Sequence, residues 1–376
     1  MKRLVLVGGG HAQLGVLFGL ARARLSGVEA VLVTPSPYQY YSGMLPGWMI
    51  GGYDETECRI DLRPLAQMAG VRLALDHISG MDAQRRCVAL SDGRHLDYDL
   101  LSLDVGSEID VSWLGECGER LLPVKPLEAF YAAWPALVDK AMRASSFRLG
   151  VVGGGAAGVE LALAVRQSLG GDSASRQIML IAGERGVLPD HAPSVQRRVL
   201  RHLTAVGVAV LPHRAAGHSE GVVLDDGRLI ALDAVIAANG ASAPCWLQRA
   251  GIKLDAGGFV AVDAMHRSLS HPDVFAAGDV CARLDQPMAR SGVHAVHCGP
   301  VMARNLIASL TGAALISYSP RRRSLYLLAL GNSRAVMSWG RFSAEGAWVW
   351  RWKDHIDRRF IQRYSIESSL HKDEEV

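Results

Sequence analysis

An α/β protein made of two copies of one strand–turn–helix–strand unit, followed by a small α+β tail, is the fold class that this 376-residue sequence predicts. Three observations carry it. Apolar runs at residues 4–7 and 149–152 each lead into three glycines and then an apolar pattern of helical period, at 14–23 and 159–169. Each helical pattern is followed by a second apolar run, at 30–34 and 177–182. Further on, SDGRHLDYDLLSLDVGS (91–107) matches DDGRLIALDAVIAANGA (225–241) without a gap. Each match holds an Asp-Gly turn between short apolar runs, which reads as a hairpin, then a buried strand ending in a loop at Gly106 or Gly240. Alternating βαβ units call for parallel sheets with helices on their faces.

Composition narrows the class. Apolar residues make up 49% and charged residues 20%, as in a water-soluble globular chain with a sizeable core. A net charge of +3 is too small for a nucleic-acid binder. The opening Met1-Lys2-Arg3 and its apolar run stop at glycines with no cleavage site, so they read as a strand rather than a signal peptide. No apolar stretch is long and unbroken enough to span a membrane. The cysteines (Cys58, Cys87, Cys117, Cys245, Cys281 and Cys298) contain no CxxC, which leaves out zinc ribbons and thioredoxin-type motifs and suits a cytoplasmic location. No metal site is expected.

The glycine clusters give the two units their chemistry. Gly153, Gly155 and Gly158 complete a GxGxxG fingerprint between strand and helix. One glycine permits the tight turn, one lets a pyrophosphate approach the backbone, and one packs helix on strand; the helix N-terminus then faces the phosphates. The bland alternative is a tight turn without a ligand. The first copy has Gly8 and Gly10, but its third position is Gln13, whose side chain either pushes the helix off the strand or fills a local gap. The acid that would hold an adenine ribose is missing from both second-strand ends, Val33-Thr34-Pro35 and Ile181-Ala182-Gly183-Glu184-Arg185. Thr34 offers one hydrogen bond. Glu184 is in reach of a ribose, which favours NADH, and Arg185 suits a 2′-phosphate, which favours NADPH; both also read as exposed loop charges. In HPDVFAAGDV (271–280) a strand at 273–277 delivers Gly278-Asp279, where an Asp accepts hydrogen bonds from ligand hydroxyls or simply caps a helix.

Over roughly residues 1–310, these motifs in this order resemble the pyridine nucleotide-disulfide oxidoreductase superfamily. The resemblance implies two Rossmann-like domains in a glutathione reductase-like arrangement, with FAD and NAD(P)H as cofactors. Residues 1–120 and 241–316 would hold FAD, residues 121–240 would hold NAD(P), and residues 317–376 would form a C-terminal interface or capping region. Carried onto this sequence, Gly8, Gly10, His11 and Ala12 lie at the FAD pyrophosphate, Thr34 near its adenine ribose, Gly106 on the loop after the hairpin, and Gly278 and Asp279 at the ribityl and pyrophosphate part. Gly153, Gly155, Gly158 and Gly240 line the nicotinamide nucleotide site, with Glu160 near the nicotinamide and Glu184 near the ribose. GGGHAQLGVL, PYQYYSGMLPG, RIDLRPLAQMAGV, PVKPLEAF and WRWKDHIDRRF are also similar to the flavoprotein module fused to selenophosphate synthetase and to its stand-alone relatives.

YYSGMLPG (40–47) then raises the question of a thiol. Single-cysteine members of the superfamily carry Ser-Cys-Gly near this loop; here the order is Tyr41-Ser42-Gly43-Met44. Serine forms neither a sulfenate nor a thiolate, so Ser42 and Gly43 are read only as part of the flavin's surroundings. Type II NADH:quinone dehydrogenases, which lack that thiol, carry Gln-Gln after the GD motif, where this chain has His297-Cys298. That pair is either catalytic, an imidazolium lowering the thiol pKa, or a packing cysteine beside a helix. Lys125 either stabilises charge at the flavin edge or is a solvated lysine. His294 either faces the ring or caps a helix.

In the tail, 325–330 and 335–339 read as strands, and Trp348, Trp350 and Trp352 alternate onto one face. Residues 353–364 read as a basic amphipathic helix, fit for a membrane surface, a cap on the flavin domain or a homodimer seam. Residues 371–376 read as a frayed acidic end. The expected function is an FAD-dependent oxidoreductase that passes hydride from NAD(P)H to a small acceptor, quinone-like or otherwise, without a redox-active disulfide. The alternatives are a flavin oxidase or dehydrogenase with a vestigial NAD(P) site, and a non-catalytic nucleotide sensor.

Overall fold

The structure, a computed structural model, describes residues 1–170, 175–288, 290, 292–320 and 323–365; the acidic end expected at 371–376 lies outside them. β1 (Lys2–Val7), α1 (His11–Ala23) and β2 (Val28–Thr34) form the first unit, which β3 (Val71–Leu75) and β4 (Leu100–Leu103) extend. β5 (Leu121–Pro123) and α2 (Leu127–Arg143) lead to the second unit: β6 (Phe147–Val152), α3 (Ala156–Leu169), β7 (Arg176–Ile181), β8 (Val208–Leu211) and β9 (Ala234–Ala237). The chain returns through β10 (Val274–Ala276) and α4 (Gly292–Thr311) to the first unit. β11 (Leu325–Gly331), β12 (Arg334–Trp339), β13 (Phe342–Gly346) and α5 (Ala347–Tyr364) form the α+β tail.

Two parallel sheets result, in the orders β10-β4-β1-β2-β3 and β5-β9-β6-β7-β8. In each, the strand order reverses beside the strand that feeds the glycine turn, between β4 and β1 and between β9 and β6. That switch point opens the crevice in which such sheets bind ligands. β1 is apolar at every central position because both its faces are covered: Leu4 and Leu6 join one core, Val5 and Val7 another. α1 lies close against α4, because a Cβ at Gly15 would run into Gly299 and Pro300, and one at Gly19 into Ala303. Both unit helices begin three residues before their apolar period, at His11 and Ala156, with Gly10 and Gly155 as N-caps. The period records packing, whereas the helix starts at the turn.

The tail corrects the expectations for its tryptophans and for its basic helix face. Trp348, Trp350 and Trp352 lie in α5, not on a strand. The helical rotation sends Trp348 and Trp352 to one exposed side, stacked with centroids 6.4 Å apart, and turns Trp350 toward Tyr53, also 6.4 Å away. Lys353, expected on the basic face, is buried. Phe360, Ile361 and Tyr364 are buried, while Ile356 is exposed. Among the described residues no helix is long and apolar enough to cross a membrane.

Candidate active site

The first glycine turn holds a carboxylate that the sequence reading overlooked. Asp104 follows β4 and is buried; its Oδ2 accepts the Gln13 N–H at 2.8 Å, at the start of α1. Its side chain fills the place that a Cβ on Gly10 would take, and Gly8 lies equally close to its carbonyl. Burial pushes the Asp104 carboxyl up to about 7, against the pull of the Gln13 and Ala12 N–H groups. Gln13 is fully buried and held across the sheet. It exchanges two hydrogen bonds with Ser102 of β4: Nε2 to the carbonyl at 3.3 Å, and the hydroxyl to Oε1 at 3.1 Å. Thr34 is buried and donates to the Ser36 carbonyl at 3.2 Å, so its hydroxyl proton is already used within the loop.

Beside this turn the fold gathers Lys125, Ser107 and Asp279 from three distant segments. Lys125 Nζ donates to Ser107 Oγ at 2.8 Å and lies 3.6 Å from Asp279 Oδ2, to which Ser107 also donates at 3.3 Å. His11 sits in their field; burial brings its imidazole down to about 4, with Asp279 opposing and Lys125 assisting. Its Nε2 is buried with no partner, and a Cβ at Gly106 would meet no atom within 4 Å. An unpartnered nitrogen, open backbone and a Lys–Asp pair able to meet phosphate and hydroxyl groups fit FAD.

The loop at 40–47 is sealed by α5. Tyr41 stacks on Phe360 with centroids 4.6 Å apart, and its hydroxyl donates to Asp357 Oδ1 at 3.1 Å. Lys353 Nζ donates to Asp357 Oδ2 and to the Gly43 carbonyl, both at 2.6 Å. Ser42 itself is exposed. Glu160 reaches this cluster from the second unit: its Oε1 accepts the Ala329 N–H at 2.7 Å. Burial raises the Glu160 carboxyl to about 7, with the Lys353 ammonium opposing and Asp357 adding to the rise. Burial likewise raises Asp357, with Lys353 opposing.

The second glycine turn has the opposite character. A Cβ at Gly158 would collide with the Gly153 carbonyl, and one at Gly153 (φ +138°) with that of Ala238; one at Gly155 or Gly240 would meet no atom within 4 Å. A cavity of about 420 Å³ opens here, lined by Val152, Gly153, Ala182, Gly183, Arg214 and Asn239 among others. Its position at the carboxyl ends of β6, β7 and β9 and its bare glycine backbone fit a dinucleotide. Glu184 pairs with Arg214 at 3.3 Å and Arg185 with Asp190 at 2.6 Å; Arg214 lines the cavity, whereas Arg185, considered for the 2′-phosphate role, is not among the residues that line it.

At the start of α4 the geometry turns against a thiol nucleophile. His297 is exposed whereas Cys298 is buried, and burial raises the Cys298 thiol well above its usual value, opposite to the lowering that an imidazolium neighbour would give. Cys298, His294 and Gly278 line a second cavity of about 320 Å³ beside the GD motif. His294 lies 3.4 Å from both the Tyr318 hydroxyl and Ser324 Oγ, through Nδ1 and Nε2.

A family model for the pyridine nucleotide-disulphide oxidoreductases matches residues 2–299. The chain belongs to that family. It is an FAD-dependent NAD(P)H oxidoreductase with the family's two-dinucleotide fold. It is 27% identical over 391 aligned positions to an NADH dehydrogenase-like protein of Mycobacterium tuberculosis, spanning 96% of this chain and 94% of the relative. In fold it is similar to sulfide:quinone oxidoreductase from Aquifex aeolicus (TM-score 0.80, 15% identity, 99% and 94% of the two chains). It is also similar to NDH2 from Plasmodium falciparum (TM-score 0.79, 13% identity, 98% of each).

Sequence reasoning assigned Lys125, Asp279, His11, Gly153, Gly155 and Gly158 to ligand crevices and missed Asp104, Ser107, Lys353, Asp357 and Arg214. A signal existed for two of these. In the internal repeat Asp104 stands where the second copy has Ala238, and Ser107 where it has Ala241.

Proposed function

We propose that this enzyme passes electrons from NAD(P)H through FAD to a small organic acceptor of the quinone type, with no protein disulfide in the path. In this reading residues 1–120 and 241–316 hold FAD and residues 121–240 receive NAD(P)H. The observation that carries it is the loop at 40–47. Where single-cysteine relatives carry their thiol this chain has Ser42-Gly43-Met44, closed over by Tyr41, Lys353 and Asp357 rather than by sulfur. The unpaired cysteines suit the cytoplasm, and the exposed Trp348, Trp352 and Ile356 of α5 give it a face for peripheral contact with a membrane surface or a second copy.

FAD and NAD(P)H supply the hydride chemistry when bound. The chain's own groups orient them and manage protons. Gly8, Gly10, His11, Ser107, Lys125 and Asp279 line the flavin side; the bare glycine backbone at Gly153 and Gly155 receives the nucleotide phosphates at the N-terminus of α3. Reduction of a quinone-type acceptor takes two electrons and two protons, of which a hydride brings only one proton equivalent. The second is drawn from solvent, and Glu160, with its carboxyl raised to about 7 beside Lys353 and Asp357, is suited to relay it at neutral pH.

An anaerobic titration with NADH and NADPH tests the reading. The flavin band near ~450 nm should bleach and return on adding a quinone. Yellow protein that neither nucleotide bleaches would sink it and favour a metabolite dehydrogenase. Glu160→Gln, which keeps an acceptor for Ala329, should slow the return by roughly a hundredfold while leaving the bleaching intact. An unchanged return would remove Glu160 from the proton path.

A further inference from the structure

We infer that the second unit selects NADPH over NADH, with Arg214 reading the 2′-phosphate and Trp113 carrying the adenine. The inference rests on NAD(P)H entering at that unit. β7 ends in Ala182-Gly183, so the strand end offers no carboxylate to the ribose hydroxyls. The acid that follows, Glu184, is held 3.3 Å from Arg214 Nη2, and it is Arg214 rather than Glu184 that lines the cavity. A cation therefore lines the cavity, and the carboxylate paired with it is not part of that lining.

Arg214 is rooted but free to exchange partners. Its backbone N–H donates to Asp225 Oδ2 at 3.0 Å, and Asp225 also takes His213 Nδ1 at 2.6 Å, which fixes the turn. The ion pair with Glu184 is largely exposed, 74% and 60% for the two side chains, and pairs of that kind hold weakly. A phosphate dianion that accepts two guanidinium hydrogen bonds is the stronger partner. Two wall residues point independently to a nucleotide. Asn239 Oδ1 is buried without a hydrogen-bond partner. Trp113 lines the same cavity with 42% of its surface exposed, as an aromatic plate for a base. Of the two guanidinium groups around this mouth, Arg228 is paired with Asp226 at 2.7 Å away from the cavity lining, and Arg214 is the one that lines the cavity.

The test is to titrate the FAD-loaded protein with NADPH, NADH, adenosine 2′,5′-bisphosphate and 5′-AMP, following heat and tryptophan fluorescence. NADPH and the bisphosphate should bind roughly ten- to a hundredfold tighter than their counterparts, a preference that shrinks as salt rises. Arg214→Ala should abolish the preference while keeping NADH affinity, Arg185→Ala should keep it, and Trp113→Ala should weaken all four. NADH binding as tightly as NADPH, or a preference that survives Arg214→Ala, would overturn the inference. If neither dinucleotide binds or bleaches the flavin while FAD stays bound, the reading of hydride entry fails, and this inference fails with it.

Discussion

The two glycine turns occupy the same place in the same kind of sheet, yet one is filled and the other open. In the second unit Gly155 faces space, Gly158 lies on the Gly153 carbonyl, and Ala238 closes the strand beside them. In the first unit Gly10 faces the Asp104 side chain, and the third glycine is replaced by Gln13, bonded to Ser102. The contrast teaches that a broken fingerprint can be compensated across the sheet. Gln13 and Ser102 form one complementary pair where the second copy has Gly158 and Ile236. Asp104 supplies the helix N-terminus with a carboxylate partner, where the second copy has Ala238.

Four substitutions test whether the two turns differ in this way. The largest effect is expected from Gly158→Ala, whose Cβ would strike the Gly153 carbonyl. NAD(P)H affinity should fall by about 3 kcal/mol, two orders of magnitude, with FAD retained; dinucleotide titration beside the flavin spectrum reads both. Next is Gln13→Gly, which restores the fingerprint by sequence but removes two buried hydrogen bonds and puts glycine in a helix. Stability should drop by roughly 2–3 kcal/mol in urea unfolding, and a gain would mean that Gln13 is tolerated rather than required.

Asp104→Asn comes third. The carboxyl rises from its ordinary 3.8 to about 7 on folding, so between those values the native protein binds more protons than the unfolded chain, and stability falls as pH rises through that window. The neutral amide escapes this penalty but loses the charge on its hydrogen bond from Gln13. Apo-protein carrying Asn should therefore be more stable than the parent by about 2 kcal/mol at pH 8, with the advantage disappearing below about pH 4; equal pH profiles would show that Asp104 does not titrate with folding. The smallest effect on stability is expected from Gly155→Ala. Its Cβ meets nothing within 4 Å, so unfolding should move by less than about 0.5 kcal/mol while dinucleotide affinity drops. A loss of stability instead would place protein, not ligand, in that space.

The two βαβ units, the Asp-Gly hairpins and the second glycine turn were legible in the amino-acid sequence. Each is written in local residues, as apolar period, turn chemistry and glycine spacing, and such signals survive without knowledge of distant neighbours. It also determined that no cysteine stands in the loop at 40–47. It misread the tail tryptophans, because alternation over five residues fits a strand face and the first turns of a helix alike, and only packing against Tyr53 and the β12–β13 hairpin separates them. The site's charges were out of reach for the same reason. Asp104 meets Gln13, Lys125 meets Asp279, Lys353 meets Gly43, and Arg214 meets Glu184 across gaps in the chain that no local pattern spans. Burial of a carboxyl and the company it keeps are properties of the folded packing, and they decided which carboxyls rise toward neutrality and which groups line a cavity.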